Sequence, residues 1–159
     1  MTIQVGDSLP NANFNVLDDG VRTVDTESVF RDRKVVLFGV PGAFTPTCSA
    51  KHLPGFVEAM PEFDRRGIEV ACLSVNDAFV MRAWADAAEV PPGIRMLADG
   101  NGEFTRALGL EMDATAFGMG MRCKRFALYA EDGVVRLLNV EAPGEFRTSS
   151  AEHVLAQLD

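Results

Sequence analysis

The chain has 159 residues, 47% of them hydrophobic, which is enough for a single domain over residues 1–159 to bury a sizeable core and leaves no room for a second. Against 15 Lys and Arg stand 23 Asp and Glu, and the resulting formal charge of −8 opposes nucleic-acid binding, which needs clustered cations to replace phosphate counterions. The 3 cysteines are odd in number and widely spaced, which argues against a disulfide framework, a C-x-x-C redox pair and a zinc knuckle, and fits a reducing compartment. The opening Met1-Thr2-Ile3-Gln4-Val5-Gly6-Asp7 has no basic region followed by an apolar one, and no stretch reaches the roughly 18 apolar residues of a membrane span. The expectation is a cytoplasmic protein with no membrane association.

In chain order, Phe14-Asn15-Val16-Leu17 and Val21-Arg22-Thr23-Val24 flank Asp18-Asp19-Gly20, and Asp-Gly tolerates the positive φ of a tight turn, so an N-terminal hairpin is predicted at a sheet edge. The apolar and β-branched run over 35–40 predicts a buried strand, which Pro41 and Gly42 end. From Ser49 few helix breakers precede Pro54, and a helix is predicted from Pro54 to about Arg66, with Pro61 removing a backbone donor and predicting a kink or break near Met60. Strands over 68–75 and 94–97 alternate with helical segments, as in βαβ units. Between them, residues 78–89 space Phe79, Val80, Ala83, Trp84 and Ala87 at helical intervals, predicting one apolar face. Residues 125–130 and 134–140 flank Glu131-Asp132-Gly133 as a second hairpin. Ser149-Ser150-Ala151-Glu152 has capping-box spacing, and Val154, Leu155 and Leu158 form the stripe of a last helix. The sum is an α/β class, a central mixed sheet with helices on both faces.

The densest chemical signal is Pro41-Gly42-Ala43-Phe44-Thr45-Pro46-Thr47-Cys48, where a buried strand ends by delivering a cysteine to a helix start. Unpaired N–H groups and the helix dipole in a first turn favour a thiolate over a thiol. Thr45 sets a hydroxyl three residues before the sulfur, able to bond the thiolate or an oxygen bound to it. A lone cysteine is commonly a small buried hydrophobe, and that reading is preferred for Cys72, inside the apolar Val70-Ala71-Cys72-Leu73-Ser74-Val75. His52 falls on the same helical face as Cys48 and either tunes the site or packs beneath it, so it stays outside the catalytic set.

The string Val36-Leu37-Phe38-Gly39-Val40-Pro41-Gly42-Ala43-Phe44-Thr45-Pro46-Thr47-Cys48-Ser49, followed by His52-Leu53-Pro54-Gly55-Phe56, resembles the active-site segment of the peroxiredoxins, in their atypical type-II or five-type branch. Further matches are Cys72-Leu73-Ser74-Val75-Asn76-Asp77, Leu97-Ala98-Asp99-Gly100-Asn101-Gly102-Glu103-Phe104, Lys124-Arg125-Phe126-Ala127 and Asp132-Gly133-Val134-Val135, so the likeness covers nearly the whole chain. It implies a thioredoxin-like fold and a peroxidase for hydrogen peroxide and small alkyl hydroperoxides, serving antioxidant defence, with no cofactor or metal. Cys48 would be the peroxidatic nucleophile passing through a sulfenic acid, with Thr45 positioning the peroxide and Pro41 shielding the sulfur. Arg125 is placed beside the sulfur by the resemblance alone, with Arg122 and Lys124 as lower-ranked candidates.

Cys123 stands where the resemblance leads one to expect a small polar residue, and no role is assigned to it. Some five-type members carry a C-terminal resolving cysteine where this chain has Arg147-Thr148-Ser149-Ser150. A one-cysteine mechanism is therefore expected, recycled by glutathione with glutaredoxin or by thioredoxin. The resemblance also implies a homodimer packed through loops near the site, to which Phe44, Phe79 and Phe117 would contribute. Two other readings share the fold: a disulfide oxidoreductase, opposed by the missing second thiol, and a redox sensor using Cys48 oxidation without turnover.

Overall fold

The apolar run that opens at Lys34 becomes a strand buried on both faces, and the sheet is assembled around it. The computed structural model describes residues 2–159. Its strands are β1 (Asn13–Asp18), β2 (Gly20–Asp25), β3 (Lys34–Gly39), β4 (Glu69–Ser74), β5 (Ile94–Ala98), β6 (Glu111–Asp113), β7 (Met121–Cys123), β8 (Phe126–Glu131) and β9 (Val134–Val140). All but β6 and β7 form one mixed sheet in the order β2-β1-β5-β4-β3-β8-β9, and those two pair as a separate ribbon. Strands β3, β4 and β5 run parallel; the other pairings are antiparallel. The helices are α1 (Thr26–Phe30), α2 (Leu53–Arg65), α3 (Ala78–Ala87), α4 (Glu103–Leu108) and α5 (Ala151–Leu158).

Successive side chains of β3 point to opposite faces, so Val36 and Phe38 join one core and Val35 and Leu37 the other. Helices α2, α3 and α5 cover the first through Phe56, Phe63, Trp84 and Val154; α1 and α4 cover the second through Phe30 and Phe104. A strand enclosed in this way reads as a continuous apolar run, which is why it was visible in the sequence. Both predicted hairpins form. Asp132 and Gly133 take φ of 50° and 75°, the paired positive angles of a tight two-residue turn, and Gly20 takes 107°.

Three local expectations are corrected. Trp84 is buried on α3 as expected, but with Ala78, Met81 and Ala85, while Phe79, Ala83 and Ala87 point outward, because the helix lies on the sheet along a stripe rotated from the predicted one. Helix α2 passes through Pro61 without a break; Phe56, Met60 and Phe63 are buried on either side of it, and that packing outweighs a local cost of about 3 kcal/mol. The cap of α5 is Ser150, whose hydroxyl accepts the His153 N–H, so the Ser149-to-Glu152 box does not form. Helices α1 and α4 and the β6–β7 ribbon, all short, were not anticipated.

Glycine is required at the end of β3. Gly39 lies opposite Phe126, and a Cβ there would come within 2.1 Å of the Phe126 ring. The ring is fully buried and has nowhere to retreat. Gly39→Ala is therefore expected to destabilise the fold by about 2–3 kcal/mol, read as a lower urea midpoint at unchanged slope; a midpoint equal to the parent's would show that the β3–β8 contact is looser than described.

Candidate active site

Where β3 ends, Pro41 and Gly42 turn the chain, and the Ala43 N–H donates to Asn76 Oδ1 at 3.0 Å, tying the loop to the end of β4. Phe44 takes a left-handed backbone, φ 64°, which a non-glycine residue adopts at a cost of about 1 kcal/mol or more. Thr45 accepts the Ser49 N–H at 2.9 Å, and helical backbone starts at Pro46, whose missing N–H would have had no partner there. Residues Cys48–His52 then form a π-helical turn that leads into α2. The expected first-turn cysteine is present, in a wider turn than a regular α-helix; such turns are rare and recur at functional sites. Among the described residues, the N–H groups of Thr47 and Cys48 find no backbone acceptor.

The sulfur of Cys48 is fully buried, and Arg125 Nη2 donates to it at 3.1 Å. The 77-residue separation is closed by the sheet: β8 runs antiparallel to β3 with Phe126 opposite Gly39, so Arg125, one residue earlier, lands beside the loop that leaves β3. Among the described residues, no carboxylate lies within ion-pair distance of this guanidinium. Its other terminal nitrogen, Nη1, is 2.9 Å from His52 Nδ1, and its Cζ lies 5.9 Å from the centre of the Phe146 ring.

His52 is more than the packing residue it could have been. Its Nε2 is 2.9 Å from the Ser149 carbonyl, which can only accept, so Nε2 carries the proton and Nδ1 offers its lone pair to Arg125. Burial, and after it the Arg125 charge, push the imidazolium down to about 3, so the ring is neutral beside the guanidinium. Glu141 lies behind it, its carboxyl held low because hydrogen bonds from Ser149, Arg147 and Thr148 outweigh the upward push of burial. Sequence reasoning missed Glu141, and no spacing or motif pointed to it.

The remaining predicted residues are near the site in different ways. The Thr45 hydroxyl donates to the Gly42 carbonyl at 2.7 Å, which spends its proton and leaves its lone pairs free; it makes no hydrogen bond to the sulfur. Pro41 is half-buried, with its carbonyl 3.5 Å from Arg122 Nη1, and Arg122 is otherwise held by the Met119 carbonyl. Arg122 therefore braces the loop and is not the guanidinium on the sulfur. Burial pushes both the Cys72 and Cys123 thiols up, and both are free. Trp84 Nε1 donates to Ser49 Oγ at 3.0 Å, so the sole tryptophan reports on the residue next to Cys48.

Below about pH 6.5 an unfolded histidine binds a proton that folded His52 refuses, so stability is full above that pH and is lost as pH falls toward 3; depressed Glu141 acts in the same direction at lower pH. Urea unfolding should show the parent losing more stability between about pH 7 and pH 5 than His52→Gln, by up to roughly 1.4 kcal/mol per pH unit. Equal losses in the two proteins would mean that folded His52 takes up its proton as readily as the unfolded chain does.

The family model named Redoxin matches residues 4–155. The chain is 52% identical to the chloroplastic peroxiredoxin-2E-2 of rice over 99% of its length and 73% of that protein, and 46% identical to peroxiredoxin-2B of Arabidopsis thaliana over 98% of both. The solved structure of reduced Prx3 of Vibrio vulnificus in complex with hydrogen peroxide superposes with a TM-score of 0.95 at 48% identity, covering 99% of this chain and 100% of that one. A sheet of this topology, a buried cysteine at a helix start and a guanidinium on its sulfur thus occur in a chain whose relatives are peroxiredoxins along its whole length. The chain belongs to the redoxin family and, within it, to the peroxiredoxins, thiol-dependent peroxidases of thioredoxin-like fold.

Proposed function

We propose that Cys48 is the peroxidatic nucleophile, with Arg125, Thr45 and Pro41 completing its site. The observation that carries this is the Arg125 Nη2 contact to a fully buried Cys48 Sγ at 3.1 Å, a charge-assisted donor aimed at the atom that must bear negative charge. The thiolate attacks the terminal oxygen of the peroxide, the S–O bond forms as the O–O bond breaks, and the departing oxygen takes a proton and leaves as water or an alcohol, with Cys48 as the sulfenic acid. The lone pairs of Thr45 Oγ1 accept the peroxide O–H, while the guanidinium and the free N–H groups at Thr47 and Cys48 stabilise charge on the oxygens. Pro41, half-buried at the end of the strand, limits water at the sulfur. Hydrogen peroxide and small alkyl hydroperoxides suit so enclosed a site, and the Vibrio vulnificus relative solved with hydrogen peroxide supports the first.

The sulfenic acid is reduced by an external thiol, glutathione with glutaredoxin or thioredoxin. This one-cysteine reading is supported by the burial of Cys72 and Cys123 as thiols and by the absence of any cysteine in Arg147-Thr148-Ser149-Ser150. The free thiols also favour a reducing compartment such as the cytoplasm. No described helix is long and apolar enough to cross a membrane. A homodimer is supported by three exposed aromatics on or near the site loops, Phe44 at 54%, Phe79 at 64% and Phe117 at 83%.

Stopped-flow Trp84 fluorescence with hydrogen peroxide should give a rate orders of magnitude above a free thiol's, absent in Cys48→Ser and reduced about a hundredfold in Arg125→Ala; a free-thiol rate in the folded, reduced parent would remove the peroxidase assignment and leave the sensor reading. Cys72→Ser and Cys123→Ser should both keep turnover with an external thiol, and loss of turnover in either with the first oxidation intact would overturn the one-cysteine mechanism. Sedimentation at micromolar concentration should find a dimer that Phe117→Asp weakens; a monomeric parent refutes it.

A further inference from the structure

We infer that Glu141 is a positioning residue for peroxide reduction, holding Arg125 on Cys48 through the 141–149 loop and His52; the inference rests on the peroxidase reading above. Glu141 is only 7% exposed, and it bonds to neither the sulfur nor the guanidinium. Its Oε2 accepts the N–H groups of Arg147 at 2.7 Å, Thr148 at 2.9 Å and Ser149 at 2.8 Å, together with the Ser149 hydroxyl at 2.6 Å. Its Oε1 faces Thr148 Oγ1 at 3.4 Å. Successive N–H groups converging on one charged oxygen give the loop a single geometry, since each bond constrains its neighbours.

What that geometry fixes is the site. The Ser149 carbonyl, last in the clasp, receives His52 Nε2–H at 2.9 Å, and this selects the tautomer whose Nδ1 accepts from Arg125 Nη1 at 2.9 Å. With the opposite tautomer two N–H donors would face each other, and the guanidinium would turn from the alignment that puts Nη2 on the sulfur. Phe146, carried by the same loop, packs on the pair, its ring centre 5.0 Å from that of His52 and 5.9 Å from Arg125 Cζ. At the other end, the Glu141 N–H donates to the Arg125 carbonyl at 2.9 Å. One residue thus references the loop to the backbone of the very arginine whose head the loop aligns. A clasp that served only stability would close the loop equally well without ending its contacts on His52 and Arg125.

The first arm uses the reduced parent chain. Ring-nitrogen NMR of His52, assigned against His153→Gln, should show a neutral imidazole protonated at Nε2 at neutral pH; an Nδ1–H tautomer or an imidazolium overturns the proposal, and this reading needs no turnover and no variant of Glu141. The second arm compares rates of Cys48 oxidation by hydrogen peroxide. Folded Glu141→Ala should fall roughly tenfold or more and show mixed His52 tautomers, and Glu141→Gln, which keeps the accepting oxygen, should recover most of the rate. In a His52→Gln background, Glu141→Ala should slow the reaction no further, because both changes break one chain of contacts. A parent rate in folded Glu141→Ala, or full additivity with His52→Gln, overturns the positioning role. A parent chain that is itself no faster than a free thiol removes the peroxidase reading instead, and the two failures are told apart.

Discussion

The antiparallel pairing of β3 with β8 is the constraint on which the rest depends. Gly39 opposite Phe126 sets the register, and a side chain larger than hydrogen at position 39 would collide with the Phe126 ring. That register sets Arg125 beside the loop where β3 gives way to the Cys48 turn, and the 3.1 Å contact between guanidinium and sulfur follows from it. Shifting a strand by one residue reverses the direction of every side chain on it, so slippage of β8 would send Arg125 to the other face of the sheet.

Placing a cation in a buried site is costly unless its donors are met. Here the two donors that face the site are met without a carboxylate, Nη2 on Cys48 and Nη1 on a neutral His52, with the Phe146 ring nearby. A carboxylate directly on the guanidinium would compete with the sulfur for its charge. Glu141, the acid that closes this chain of contacts, is occupied by Arg147, Thr148 and Ser149, one step removed. Keeping His52 uncharged serves the same end, since a second cation would repel the first, and the burial that keeps it uncharged favours unfolding in acid.

The surroundings divide the three thiols by chemistry. Cys48 has a cationic donor and the unpaired N–H groups of a helix start; Cys72 sits opposite Phe38 inside the sheet, and Cys123 gives its S–H to the Lys124 carbonyl. Burial without a charge partner favours the neutral thiol in the latter two. Trp84 donates to Ser49 and so ties the π-helical turn that carries Cys48 to α3.

Much of this protein was determined locally. Turn chemistry marked both hairpins and apolar, β-branched runs marked the parallel strands, because hydrophobic pattern and positive-φ preference belong to neighbouring residues. The strand, Pro-Gly and helix start around Cys48 were legible for the same reason. Arg125 was reached only through family resemblance, since nothing within a few residues of it refers to Cys48. The face of α3 was misjudged because Phe79 is apolar yet points outward, and which stripe is buried depends on where the helix lies on the sheet. The Ser149-to-Glu152 box was misread because the Ser149 hydroxyl donates to Glu141, which leaves Ser150 to cap the last helix. Glu141 was invisible, and for His52 the spacing left tuning of the site and packing beneath it both open. The sequence by itself therefore determined the longer elements and which thiol is exposed to activating chemistry; the tertiary structure decided the short elements and which cation, which imidazole tautomer and which carboxylate meet there, because those contacts join residues brought together only when β3, β8 and the 141–149 loop pack.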